Sequence, residues 1–278
     1  MSVNTPDSHP STHLHADVLL VTPAWVADRL AADGLVILDV RTAQEYAEGH
    51  LPGAVNVELS RWTTVRDGVP GMLIEPAAFA QLVGSAGIDN ATDLVIYDAN
   101  WGMPAARVFW SFRRYGHSRV AVVNGGWDQW TAENRPVSTD PVSPQPTTYA
   151  PPDLTTGVDH LAELSWLQAQ GARADLVIVD TRSPKEFEQG HLPNAINWDW
   201  LNAVPVGEWE MLRPAEELRA ELAELGITPD REIVTYCRSG ARAAHTYLVL
   251  RQLGYPRVRN YDGSWLEWSQ RVLGQPAH

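Results

Sequence analysis

Short apolar runs alternate with helical patterns along this chain, and the alternation occurs twice. Leu35–Val40, Leu94–Tyr97 and Val120–Val123 are continuous apolar runs rather than alternating ones, the pattern of parallel strands covered on both faces. Leu176–Asp180, Ile233–Tyr236 and Val258–Tyr261 repeat the pattern in the second half. The stretches Pro76–Ala86, Ala105–Tyr115, Pro214–Leu225 and Ala241–Leu253 carry helical periodicity, two of them opening with proline where a first turn tolerates it. Strands that alternate with helices predict parallel sheets with helices on both faces. The predicted fold class is α/β, in two copies.

The two copies are visible residue by residue. Val36-Ile37-Leu38-Asp39-Val40-Arg41 runs through Glu45 to Gly49-His50-Leu51-Pro52 and Asn56. Val177-Ile178-Val179-Asp180-Thr181-Arg182 runs through Glu186 to Gly190-His191-Leu192-Pro193 and Asn197, with 11 of the 21 positions identical. Self-similarity at so long a spacing marks duplicated domains rather than a solenoid. The boundaries read as a flexible tail over 1–17, a first domain over 18–134, a proline-rich connector over 135–156 and a second domain over 157–278. Dense proline with small polar residues favours an extended, semi-stiff connector, although the segment could also lie along one domain.

Composition narrows the function. The 278 residues carry 21 Lys+Arg against 34 Asp+Glu, a net charge of −13, which argues against sequence-independent nucleic-acid binding. No apolar run reaches the ~18 residues a membrane span needs, and the polar start is unlike a signal peptide, so neither a membrane nor secretion is expected and the cytoplasm is the natural location. One cysteine excludes an internal disulfide and a cysteine-rich zinc site, and no spaced set of His, Asp or Glu suggests a metal. Nothing in the chain specifies an oligomeric partner.

That cysteine lies at the carboxyl end of a strand, where ligands of parallel α/β domains bind. Cys237-Arg238-Ser239-Gly240-Ala241-Arg242 joins the Ile233–Tyr236 strand to a helix. A short loop entering a helix turns backbone N–H groups inward, and with two arginines beside it the environment favours thiolate over thiol. A buried, inert cysteine is the alternative reading.

These motifs, with the closing Asn260-Tyr261-Asp262-Gly263-Ser264-Trp265, resemble the rhodanese family of sulfurtransferases in its tandem form, over about Val18 to Val272. The resemblance implies that Cys237 takes a sulfane sulfur from a small anionic donor as a persulfide and passes it to a thiophilic acceptor, with no other cofactor. It makes Arg238, Ser239, Gly240, Ala241 and Arg242 the cradle of the outer sulfur. It also places Arg182 against the anionic end of the donor, although its twin Arg41 beside no cysteine suggests a shared structural role, such as pairing with Glu45 or Glu186. Asp180 and Glu186 then orient Arg182 and the loop, and His50 and His191 are structural. The first half has Asp98 where the second has Cys237, with Asn100 and Met103 matched to Ser239 and Arg242, so it resembles the family's inactive domain.

Three alternatives stand beside this reading. Related cysteine phosphatases space cysteine and arginine by five residues, and here Arg242 comes one residue too early. A non-catalytic sulfur carrier or binding module would not need the loop's arginines and glycine. Within the enzymes, Arg238 is like those that use thiosulfate and Ser239 like those that use 3-mercaptopyruvate; Gly71, where the latter would place a histidine, and the short stretch after Arg182 favour thiosulfate.

Overall fold

The structure, a computed structural model, describes residues 13–151, 160–171 and 173–275. The first half contains strands β1 (Leu20–Val21), β2 (Leu35–Asp39), β3 (Val55–Asn56), β4 (Thr63–Arg66), β5 (Val69–Leu73), β6 (Asp93–Tyr97) and β7 (Val120–Val123). Its helices are α1 (Pro23–Ala27), α2 (Ala43–Glu48), α3 (Pro76–Ser85), α4 (Met103–Arg114) and α5 (Gly126–Ala132). The second half has strands β8 (Leu161–Ala162), β9 (Leu176–Asp180), β10 (Ile196–Asn197), β11 (Glu232–Tyr236) and β12 (Val258–Tyr261). Around them lie α6 (Leu164–Gln170), α7 (Pro184–Glu188), α8 (Ala215–Glu224), α9 (Ala241–Gln252) and α10 (Ser264–Arg271). Each half is a five-stranded, all-parallel sheet, ordered β1-β7-β6-β2-β3 and, by the same correspondence, β8-β12-β11-β9-β10.

The three long runs of each half are the central strands, buried as continuous apolar sequence requires: every residue of β6, β7 and β11 is buried. In both sheets the first central strand ends beside the tyrosine that closes the second, Asp39 opposite Tyr97 and Asp180 opposite Tyr236. The β4–β5 hairpin has no counterpart among the strands of the second half and is not announced by its composition.

The proline-rich segment is not a free connector. Ser138 bridges to His50, Val142 donates its N–H to the Tyr46 hydroxyl, Thr147 donates to the Gly84 carbonyl, and Tyr149 is buried against Phe79. It is a strap along the first domain, closer to the alternative reading than to a semi-stiff spacer, because its apolar side chains Val142 and Tyr149 find partners there. The tail reading also ends early: Leu14 is buried and its N–H is held by Asp93, while residues 1–12 and 152–159 lie outside the described residues.

Helices α4 and α9 pack against each other, and one apolar core runs across the domain boundary from Phe109 and Trp110 to Tyr247 and Leu248. The contact is reciprocal. The N–H of Leu73, at the end of the hairpin, donates to the Asp262 carboxylate at 2.8 Å, and that of Met211 donates to the Asn124 side chain at 2.9 Å. Five residues after the glycine that caps each helix, Arg107 of α4 reaches the second domain's loop, and His245 of α9 reaches Trp101 of the first domain's loop.

His245 is fully buried, and desolvation pushes its imidazole down from 6.5 to about 4. The unfolded chain therefore binds this proton at a higher pH than the folded one, so stability is complete above about 6.5 and falls as pH drops toward 4. The expected loss is about 3 kcal/mol. Urea unfolding at pH 7 and pH 4.5 measures it, and His245→Asn should flatten that segment of the profile.

Candidate active site

Cys237 follows β11 directly and is 1% exposed. Its N–H donates to the Ser264 hydroxyl at 3.1 Å, its carbonyl accepts from Trp265, and its Sγ accepts the Gly240 N–H at 3.1 Å. Gly240 caps α9 at φ +83°, a left-handed conformation that glycine adopts without strain. There the backbone doubles back, so that the helix N-terminus faces the sulfur.

The first domain builds the same loop and fills it differently. The Asp98 carboxylate accepts the N–H groups of Asn100 at 2.9 Å, Gly102 at 3.0 Å and Ala105 at 2.8 Å. The carboxyl group is an acceptor supplied by the chain itself, occupying the amides that a ligand would need. Burial pushes the Asp98 carboxyl up while these three N–H bonds pull it down, and the net shift is upward. Gly102 at φ +75° caps α4 as Gly240 caps α9, which makes the first loop one residue longer. Aligned on the cap, Pro104 rather than Met103 stands where Arg242 does.

The arginines separate into three kinds. Arg182 is buried with Asp180, donating at 2.9, 3.1 and 2.6 Å, gives a further bond to the Gly190 carbonyl at 2.7 Å, and lies over the Trp265 ring. Arg41 does the same with Asp39, the Gly49 carbonyl and Trp127. The ion pair commits Nε and Nη2 of Arg182, which supports the shared structural role, and the partner in both halves is the strand aspartate rather than Glu45 or Glu186. Tyr236 and Tyr97 close each network by donating a short hydrogen bond to the same aspartate.

Arg242 faces the sulfur. Burial works against its charge, but hydrogen bonds to Glu186 at 2.7 and 2.8 Å and the neighbouring Cys237 outweigh it and hold it protonated. The same bonds, helped by Ser183, hold the Glu186 carboxyl down to about 2. Glu186 thus positions Arg242, not Arg182. Arg238 is exposed, and Ser239 is half-buried against Gly71 of the β4–β5 hairpin. Gly240 and Ala241 complete the loop.

Sequence reasoning missed Ser264, which orients the Cys237 backbone, and Arg107, which arrives from the other domain. Ser264 lay within a quoted motif. The signal for Arg107 was one charged residue amid the buried stretch Ala105–Phe112 of α4.

Among the described residues no group of His, Cys, Asp and Glu could hold a metal ion, and no helix is long and apolar enough to cross a membrane. The family model of the rhodanese-like domain matches residues 22–133 and 163–271. A thiosulfate sulfurtransferase of Azotobacter vinelandii is 36% identical over 90% of this chain and 93% of its own length. The sulfur carrier protein TtuD of Thermus thermophilus is 36% identical over 94% and 96%. The structure of a 3-mercaptopyruvate sulfotransferase from Escherichia coli superposes with a TM-score of 0.79 at 27% identity, covering 89% of this chain and 99% of the other. The chain belongs to the rhodanese family, as a tandem pair of rhodanese-like domains, and is a rhodanese-type sulfurtransferase.

The shared architecture of Arg41 and Arg182 has a measurable consequence. Arg41→Met and Arg182→Met each leave a buried aspartate unpaired and should each lower stability by about 3–5 kcal/mol in urea unfolding. The KM for the sulfur donor should stay within about twofold of native in Arg182→Met.

Proposed function

We propose that this chain moves a sulfane sulfur from thiosulfate to a thiophilic acceptor, such as cyanide or a thiol, through a persulfide on Cys237. The carrying observation is the contrast between the two loops. One amide-lined turn is filled by the fixed Asp98 carboxylate, and its twin holds a cysteine whose sulfur already accepts the Gly240 N–H.

The chemistry balances without another group. The Cys237 thiolate attacks the outer sulfur of thiosulfate; a sulfur–sulfur bond forms, the bond to the sulfonate sulfur breaks, and sulfite leaves with the electron pair. The added sulfur becomes the terminal atom of the persulfide, which the loop N–H groups and Arg242 stabilise as negative charge. The acceptor then attacks that terminal sulfur and the Cys237 thiolate departs. Cyanide leaves as thiocyanate.

A compact donor suits the geometry. Gly71 has φ +81°, and a Cβ there would meet the Ser239 Cβ at 3.0 Å. No side chain projects from that position to hold the carboxylate and keto oxygen of 3-mercaptopyruvate, which leaves the exposed Arg238 and the Arg242–Glu186 pair to meet a small dianion. The name of the relative from Azotobacter vinelandii favours the same donor.

Three experiments test the proposal. Cys237→Ser should keep its fold and lose thiosulfate:cyanide activity, and mass spectrometry should find one added sulfur on the native chain and none on the variant; turnover by the variant would overturn the reading. Asp98→Cys combined with Cys237→Ser should form no thiocyanate, because Pro104 supplies no cation to the first loop. With native enzyme and cyanide as acceptor, kcat/KM should be higher for thiosulfate than for 3-mercaptopyruvate, by about tenfold on the strength of charge-assisted contacts alone.

A further inference from the structure

Arg107 belongs to the first domain, but its guanidinium is packed against the second domain's loop. It is 1% exposed, and its Nη2 donates to the Asp262 carboxylate at 2.5 Å and to the Gly71 carbonyl at 2.9 Å. Its plane lies over the Trp110 ring, 4.8 Å from the centroid. Nη1 and Nε make no hydrogen bond to any described residue. Nη1 abuts Gly240 so closely that a Cβ built there would lie 2.7 Å from it and 2.9 Å from the Asp262 carbonyl oxygen.

Each of these contacts leads to the reacting sulfur. Gly240 is the residue whose N–H donates to Cys237 Sγ. Asp262 precedes, by two residues, the Ser264 that accepts the Cys237 N–H. Gly71 lies against Ser239, the middle of the loop. One buried cation therefore ties together the back of the loop, the strand end behind it and the hairpin in front of it. At the twofold-related place the first domain's loop is faced by His245, held neutral by burial, and there Asp98 occupies the amides without any cross-domain cation.

We infer that Arg107 is a positioning residue for sulfur transfer, through which the domain lacking a cysteine holds the Gly240 N–H on the sulfur of Cys237. This inference rests on the proposed function, and persulfide formation by the native chain tests that reading separately. A buried guanidinium whose Nη2 is held by the Asp262 carboxylate and the hairpin's Gly71 carbonyl, with Nη1 packed against Gly240, restrains a backbone that must stay within a few tenths of an ångström of its working geometry. Removing it displaces the donor N–H without touching the donor pocket.

The experiment compares Arg107→Met and Asp262→Asn with Phe79→Leu, a variant that loosens the first domain's own aromatic core, where Phe79 packs on Trp62, Phe112 and Tyr149. Thermal unfolding first establishes that each is folded at the assay temperature. Arg107→Met should lower the single-turnover rate of persulfide loading from thiosulfate by about tenfold or more, with KM within about twofold of native. Alkylation of Cys237 by iodoacetamide at pH 7, which needs no sulfur donor, should slow in parallel. Phe79→Leu should keep both rates at a comparable loss of stability. Asp262→Asn should reproduce the Arg107→Met effect, and the double variant should be no slower than either single one, since both act through the same contact. Native rates in Arg107→Met, equal losses in Phe79→Leu, a rise in KM with kcat retained, or additive losses in the double variant would each overturn the inference. Should Arg107→Met fail to fold, Asp262→Asn carries the same comparison.

Discussion

Backbone N–H groups turned inward at a strand-to-helix junction carry partial positive charge that a buried site must satisfy. Both domains make this junction, at the carboxyl ends of β6 and β11, and both meet the demand with an acceptor on the residue that follows the strand. In the first it is the Asp98 carboxylate, covalently part of the chain and held by three amides. In the second it is the sulfur of Cys237, which accepts the Gly240 N–H. The two loops thus differ in the residue that follows the strand, in length by one residue, and in Arg242, which has Pro104 at its place in the first domain.

The frame is kept in place by charge pairs that have nothing to do with substrate. Asp39–Arg41–Tyr97 and Asp180–Arg182–Tyr236 lock the ends of adjacent strands and the Gly-His-Leu-Pro turns to each other. Their buried arginines spend Nε and Nη2 on the strand carboxylate and a turn carbonyl, and so contribute geometry. Arg242, steadied by Glu186, and the exposed Arg238 are the arginines left beside the cysteine loop.

Duplication also explains why the first domain persists without a cysteine. Its hairpin covers Ser239, its strap and core support α4, and α4 delivers Arg107 to the back of the catalytic loop. The reciprocal contacts, Leu73 to Asp262 and Met211 to Asn124, show one interface used twice with different side chains. One apolar core is common to the two halves, so the surroundings of the cysteine loop are a property of the pair.

The chain alone determined the fold class, the duplication, the six long strands and the four principal helices within one or two residues, and the place of Cys237. Those features depend on local signals: continuous apolar runs, helical periodicity, and a cysteine between a strand and a cap glycine. Tertiary structure decided what each arginine does. Arg182 and Arg242 look equally available in the sequence, but a carboxylate two residues away, on the strand, captures the first, and Glu186, placed by the fold 56 positions away, steadies the second beside the sulfur. Arg107 was beyond sequence reasoning for the same reason: its partners Asp262 and Gly240 lie in the other domain, and only the packing of α4 on α9 brings that charge to the loop.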